Sequence, residues 1–211
     1  AIRRGDASVL PLTEIPLPGL HNALNVCAAL AAIEAASDIV QARALATHVR
    51  TFRALPHRLQ TLGELGGVRY INDSISTTPY ATIEALRSIA DAPTTVLVGG
   101  FDRGVEWTAF VDHVRDHPPH AVIAMGANGP AIAQALRRIE PLRCVLVEAT
   151  TLDAALAQAR AATQAGGTIL LSPGAPSFDQ FRDYAERGRT FARLAGFDPD
   201  RIAHIAGLGI A

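Results

Sequence analysis

Thr94-Thr95-Val96-Leu97-Val98-Gly99-Gly100 reads as a strand that ends in a glycine turn. Its residues are β-branched or apolar without alternation, the pattern of a strand covered on both faces. The same unit recurs on either side. Helical Pro79–Ile89 precedes it, and helical Trp107–Asp116 follows and leads to a second apolar strand, Ala121–Met125. Helix Pro130–Ile139, strand Cys144–Val147, helix Leu152–Gln164, strand Thr168–Leu171 and helix Phe178–Leu194 continue the alternation. Strands that alternate with helices predict an open α/β domain, with a mostly parallel sheet and helices on both faces. Upstream, two short extended runs, one ending at Leu65 and one at Val68–Ile71, flank Gly66-Gly67 and read as a hairpin.

Before residue 55 the pattern differs. Residues 1–20 carry Pro11, Pro16 and Pro18 and read as a loop or a short extended piece. An alanine-rich helix starts at Asn22, and a second runs from about Ile39 to Ala54, where Leu55-Pro56 ends it. The expected organisation is residues 1–54 as a short helical segment with no sheet of its own, then residues 55–211 as the α/β domain. Helices without a partner layer would bare an apolar face, so they either pack on the domain or end a preceding one. Phe197–Ala211 carries weak signals and is assigned no element.

Composition narrows the chemistry. The formal net charge is -1, so the chain has no electrostatic footprint for nucleic acid or an anionic membrane. All 19 basic residues are arginine. That excludes a Schiff-base lysine, a lysine general base and a phosphate-binding loop ending in Gly-Lys-Ser/Thr within these residues. Cys27 and Cys144 each sit in an apolar run and read as small buried hydrophobes, which suits a reducing compartment. No apolar run reaches the ~18 residues of a membrane span. No apolar stretch follows Arg3-Arg4 as in a signal peptide, so the expected location is the cytoplasm. The chain opens at Ala1 without methionine, which fits processing or a piece of something longer. His113, His117 and His120 lack the H-E-x-x-H spacing and read as groups at a helix end rather than metal ligands. No G-x-S-x-G or G-x-G-x-x-G is present, and no catalytic residue is assigned.

In an open parallel sheet, ligands bind beyond the carboxyl ends of the strands. The stretches to read are therefore Asn72–Thr78, Gly99–Gly104, Gly126–Gly129, Glu148–Thr150 and Ser172–Ser177. They carry glycines, hydroxyls and helix starts, which suit carboxylates or phosphates, although turns and caps use the same residues. Asp102 and Arg103 share one loop, which suits a zwitterion such as an amino acid.

Several of these stretches resemble the Mur ligases. His21-Asn22-Ala23-Leu24-Asn25 resembles their H-N-x-x-N segment, Leu55-Pro56-His57-Arg58 their L-P-H-R segment, and Asn72-Asp73-Ser74 their N-D-S segment. Leu170–Phe181, with Ser172-Pro173 and Asp179-Gln180-Phe181, resembles the corresponding run of the glutamate-adding member, as does Glu186-Arg187-Gly188. The five matches fall in the family's order over roughly residues 15–195.

The resemblance implies the end of a central ATP-binding domain (1–54) followed by a Rossmann-like C-terminal domain (55–211). It implies ATP-dependent joining of glutamate to UDP-N-acetylmuramoyl-L-alanine in peptidoglycan precursor synthesis. Magnesium ligands, the phosphate loop and an essential lysine are expected outside this chain, which alone would be inactive. By resemblance Asn22 and Asn25 hold adenine, the other reading being a helix cap. Arg58 and Asp73 face the ribose and phosphates, and Thr77, Arg103, Ser177, Phe178 and Tyr184 hold glutamate. Departures cluster at that pocket. Ile75 replaces a usual lysine, Arg103 stands where lysine is common, and Tyr184 stands where phenylalanine is common. The pattern favours L-glutamate over D-glutamate as the amino acid added. The alternatives are another ligase of the superfamily, such as a folylpolyglutamate synthase type, and a free-standing amino-acid or nucleotide-binding module.

Overall fold

The computed structural model describes residues 1–16, 19–36, 42–52 and 55–200. The chain divides into two compact units, Ala1–Ala54 and Leu55–Ala211.

The first unit is not purely helical. Strands β1 (Ile2–Arg4) and β2 (Ala7–Leu10) form an antiparallel hairpin ahead of helices α1 (Leu20–Ala36) and α2 (Ala42–Val49). The expectation of helices without a sheet is corrected here, and the reason is burial. Ile2 and Leu10 join Leu30 and Ala46 in one apolar cluster, so the hairpin supplies the layer that two helices lack. The second helix, expected to reach about Ala54, ends at Val49, because the Thr51 and Phe52 N–H groups turn back to the His48 and Val49 carbonyls; residues 39–41 and 53–54 lie outside the described residues.

The second unit holds a six-stranded sheet in the order β3-β4-β8-β5-β6-β7. The strands are β3 (Gln60–Leu65), β4 (Val68–Asn72), β5 (Thr94–Val98), β6 (Ala121–Met125), β7 (Val145–Ala149) and β8 (Thr168–Leu171). Edge strand β3 is antiparallel to β4 across the Gly66-Gly67 turn, and every other neighbouring pair is parallel. The sheet is therefore mostly parallel, with helices on both faces. All residues of β5, β6 and β8 are buried, as their unbroken apolar runs require.

Side chains alternate between the two faces with the strand period of two. Val96, Val98, Val122, Ala124 and Leu170 pack with α3 (Pro79–Ser88), α4 (Thr108–Asp116) and α5 (Gly129–Leu136). Leu97, Ile123, Met125, Ile169 and Leu171 pack with α6 (Leu152–Ala162) and α7 (Tyr184–Ala195). Chain direction explains the division. The connections from β4 through β7 all advance the same way, and right-handed crossovers place α3, α4 and α5 on one face. The connection from β7 to β8 runs back across the sheet, so α6 lies on the other.

Helix α7 begins at Tyr184 rather than at Phe178. Asp183 is extended and caps it by accepting from the Glu186 N–H at 2.7 Å. Residues 178–183 form a loop instead, because the Ser177 carbonyl takes the N–H groups of Gln180 and Phe181 in a turn. The Gln180 side chain then reaches sideways, accepting from the Leu152 N–H at the start of α6 at 3.2 Å. Past α7, Phe197 packs edge-on against Tyr70 with centroids 5.5 Å apart. Residues 201–211 lie outside the described residues.

Candidate functional site

Strand β8 sits between two strands whose following helices go to the opposite face from its own. The loops after β4 and β5 lead to α3 and α4, while the loop after β8 leads to α7. Such reversals open a crevice at the carboxyl end of the sheet, where ligands bind in folds of this kind. The stretches around Asn72–Thr78, Gly99–Gly104 and Ser172–Ser177 meet there.

Their floor is a buried polar network. Asp73 follows β4 directly and is almost wholly enclosed. One carboxylate oxygen accepts from the Ser172 hydroxyl at 2.7 Å and the other from the Leu59 N–H at 3.0 Å. Burial raises its pKa against these bonds and the nearby Arg58 charge, which lower it. Beside it, the Asn72 amide donates to His57 Nδ1 at 3.0 Å and to the Gly188 carbonyl at 3.3 Å, and accepts from the Ser74 N–H. Since Asn72 donates, Nδ1 of His57 is an acceptor and the ring is neutral with its proton on Nε2. Burial first, and the Arg189 charge second, hold the His57 pKa below its usual value, which agrees with that state. His57 and Leu59 both have left-handed backbones, with φ of 62° and 44°. That is uncommon for such residues, and it is sustained by bonds from Ile75 N–H to the His57 carbonyl and from His57 N–H to Gln60. A Cβ on Gly188 would lie 2.2 Å from His57 Nδ1, so only glycine lets α7 approach this closely.

Arg187 closes the network. It is 1% exposed, and its guanidinium donates to the Ser74 hydroxyl (3.0 Å), the Ser74 carbonyl (2.8 Å) and the Ala175 carbonyl (3.0 Å). The Ser74 hydroxyl in turn donates to the Tyr184 carbonyl at 2.7 Å. Burial pushes the Arg187 pKa down to about 10, with only the more distant Asp179 charge raising it.

The residues expected from the sequence fall into three groups. Arg103 and Phe178 are exposed on the loops after β5 and β8, and Ser177 is buried just before Phe178. Phe178 meets Phe101 edge-on with centroids 6.3 Å apart, so these two loops touch. Thr77 is half-buried on the loop after β4, and Tyr184 opens α7 with its ring edge against His57 at 5.9 Å. The structure thus brings these five residues to the loop cluster at one end of the sheet. Arg58 is exposed beside that cluster, whereas Asp73 lies beneath it with both oxygens taken. Asn22 and Asn25 belong to the first unit, in the opening turns of α1, the former buried and the latter exposed.

Sequence reasoning assigned no role to His57, Asn72, Ser74 or Arg187. Their signal was present, since each lies inside a motif quoted for the resemblance. Burial of a cation, however, is a tertiary fact that no local pattern carries. The buried groups are tied to one another, and the exposed ones are two arginines, an aromatic ring and polar loops. Such an arrangement has the chemistry to contact a polar ligand. It offers no activated nucleophile.

Among the described residues no three His, Cys, Asp or Glu side chains gather to hold a metal ion, so the magnesium implied by the resemblance finds no ligand set in them. No described helix is long and apolar enough to cross a membrane. A cavity of about 370 Å³, lined by Arg87, Thr94, His113, His117 and His120 among others, opens at the amino ends of β5 and β6 and is not part of the crevice.

Fold and crevice together define an open α/β domain of the Rossmann-like kind, with its candidate site in the loops at the carboxyl ends of the strands. Residues 57–174 match the family model described as Mur ligase, glutamate ligase domain, and the chain belongs to the Mur ligase family. It is 51% identical over 212 residues to a UDP-N-acetylmuramoyl-L-alanine–L-glutamate ligase of Xylella fastidiosa, covering 100% of this chain and 45% of that protein. The protein of the same description in Xanthomonas oryzae pv. oryzae is 47% identical, over 99% of this chain and 45% of its own length. The chain therefore spans a little under half of the curated relatives it matches. A folylpolyglutamate synthase of Mycobacterium tuberculosis, solved with ADP, superposes with a TM-score of 0.62 at 19% identity, over 85% of this chain and 41% of that one. That likeness is one of fold.

Proposed function

We propose that the complete protein joins L-glutamate to UDP-N-acetylmuramoyl-L-alanine in peptidoglycan precursor synthesis, driven by ATP, and that this chain supplies the domain that presents the amino acid. The observation that carries the reading is the 51% identity, over the whole chain, to a ligase whose name states this substrate and L-glutamate. In that reaction the substrate carboxylate is activated as an acyl phosphate. The glutamate nitrogen attacks its carbonyl carbon, the carbon–oxygen bond to phosphate breaks, inorganic phosphate leaves, and the amine proton passes to solvent. The chain's contribution is placement, which converts a bimolecular encounter into an oriented one.

In this reading the Arg103 guanidinium pairs with the side-chain carboxylate of glutamate and the Ser177 hydroxyl bonds it. Thr77, Phe178 and Tyr184 complete the pocket. Arg58 faces the ribose and phosphates of the nucleotide. Asp73, whose oxygens hold Ser172 and Leu59, acts on the nucleotide side through the turn that carries Arg58. Asn22 and Asn25 hold adenine, and residues 1–54 are the end of the central ATP-binding domain. Ile75 leaves the pocket without the lysine of other glutamate-adding members, which fits the L-isomer. The reaction belongs to the cytoplasm, where its nucleotide substrates are made. Residues 1–211 contain no lysine and no phosphate loop, so the chain by itself performs no ligation.

The test is amide formation by the full-length protein with L-glutamate and D-glutamate side by side. Turnover with the L-isomer is expected, and turnover with the D-isomer alone would sink the assignment. In the same protein, Arg103→Ala is expected to raise the KM for glutamate at least about tenfold while the KM for ATP stays within about twofold. Equal effects on both would remove Arg103 from the pocket.

A further inference from the structure

Arg187 is a cation placed where a cation is costly. Its guanidinium is buried, and among the described residues no carboxylate bonds it and its Nη1 atom has no hydrogen-bond partner. A methionine or leucine could fill the same volume without the desolvation penalty, so packing does not account for it. Its partners do. Nε and Nη2 bind Ser74 and Ala175, which lie on the loops after β4 and β8. Nη1 points at the loop after β5, and a Cβ on Gly100 would come within 3.1 Å of it and within 2.3 Å of the Pro176 carbonyl oxygen. That third loop is further held by a bond from the Phe101 N–H to the Pro176 carbonyl at 2.9 Å and from the Gly100 N–H to Asn128 at 2.8 Å.

The spacing along the chain gives these contacts a purpose. Ser74 precedes Thr77, Ala175 precedes Ser177, and Gly100 precedes Arg103, each by two or three residues. Three of the residues read as glutamate contacts, Thr77, Ser177 and Arg103, therefore lie just downstream of segments gathered at one planar group, the first two segments bonded to it and the third set close against it. We propose that Arg187 is the positioning residue of the amino-acid pocket, a single guanidinium that fixes the separation of the three strand-end loops. A guanidinium can do this because its donors lie in one rigid plane and diverge, whereas an ammonium is a point donor on a flexible stem. The inference rests on the pocket assignment made above, and it makes a claim about loop order that is independent of the reaction.

Two measurements on the full-length protein decide it. In the first, hydrogen exchange of Arg187→Lys is expected to quicken in residues 73–78, 99–105 and 172–178 while β6 and α5 keep their protection. Uniform quickening, or none, would overturn the proposal. In the second, the KM for glutamate is expected to rise on the order of tenfold or more with the KM for ATP within about twofold, since small misplacements of a bound reactant are costly. A proportional loss in every kinetic parameter, after correction for the folded fraction, would reduce Arg187 to a structural residue. Ser74→Ala removes the hydroxyl's bonds to Arg187 and to the Tyr184 carbonyl but keeps the Ser74 carbonyl contact, and should shift both readouts the same way by a smaller amount, which keeps the proposal falsifiable if Arg187→Lys folds poorly. If the unsubstituted protein failed to ligate glutamate, the functional reading would fall, and the exchange pattern would still decide the clamp.

Discussion

The two ends of the large sheet treat charged side chains in opposite ways. At the carboxyl ends of β4 and β8, Asn72, Asp73, Ser74 and Ser172 are buried and bonded inside the protein, with Arg187 among them. At the amino ends and between α3 and α4, charge stays in water. Arg87 pairs with Glu84, and Arg115 with Asp112, at side chains about half exposed. An exposed pair adds little, because solvent screens it and ordering two long side chains has an entropic cost. A buried polar group left without a partner costs far more, so a buried network fixes one geometry and resists slippage. The site is thus expected at the end where charged groups are enclosed, although the cavity lined by histidines lies elsewhere.

Substitutions can break that contrast in order of severity. Gly188→Ala sets a Cβ 2.2 Å from His57 Nδ1 and 2.9 Å from Asn72 Nδ2, against groups that are themselves buried. A loss on the order of 3 kcal/mol is expected from overpacking, read as the midpoint shift in denaturant. A change under about 1 kcal/mol would show the α7 contact to be loose. Asp73→Ala leaves the Ser172 hydroxyl and the Leu59 N–H unsatisfied, for which about 2 kcal/mol is expected.

Acid and base sharpen the comparison further. The His57 pKa is lowered in the folded protein, so its contribution to stability is full above 6.5 and is lost as pH falls through the folded value. His57→Asn, which tolerates the left-handed backbone, should flatten the unfolding free energy below pH 6.5. Asp73 has the opposite sign for a carboxylate. Its raised pKa makes its contribution full below 3.8 and lost as pH rises through the folded value, and Asp73→Asn should remove that slope. The smallest effect belongs to the other end of the sheet. Arg87→Ala should change stability by no more than about 0.5 kcal/mol and leave the KM for glutamate unchanged. A large effect there would undo the distinction between the two ends.

Much of the fold was legible because β5, β6 and β8 are covered on both faces and so carry unbroken apolar runs. The turns that bound them are written in glycine and proline. The first hairpin was not legible. Its strands are three and four residues long, carry two arginines, and bury little beyond Ile2 and Leu10. Helix α7 starts later than the sequence suggests because Asp179 and Gln180 turn their side chains to the Ala127 N–H and to the Leu152 N–H at the start of α6. At the site, the strand-end loops were readable from the alternation of strands and helices, which points to Arg103, whereas Phe178 came only from the family resemblance. The roles of His57 and Arg187 were not readable. An arginine four residues into an amphipathic helix looks solvated until the loops that enclose it are in place.

The placement of β8 also governs how the domain can be made. It is the last strand among the described residues, yet it lies between β4 and β5, pairing Thr168 with Arg69 on one side and Thr94 on the other. A growing chain can assemble β3 with β4, and β5 with β6 and β7, but both pieces keep an open edge until residues 168–171 are synthesised. Closure then depends on contacts about a hundred positions apart, which makes it slow and leaves two apolar edges exposed to other chains meanwhile. Folding yield should therefore be most sensitive to conditions late in synthesis, and least to those that act while the first three strands of the sheet are forming.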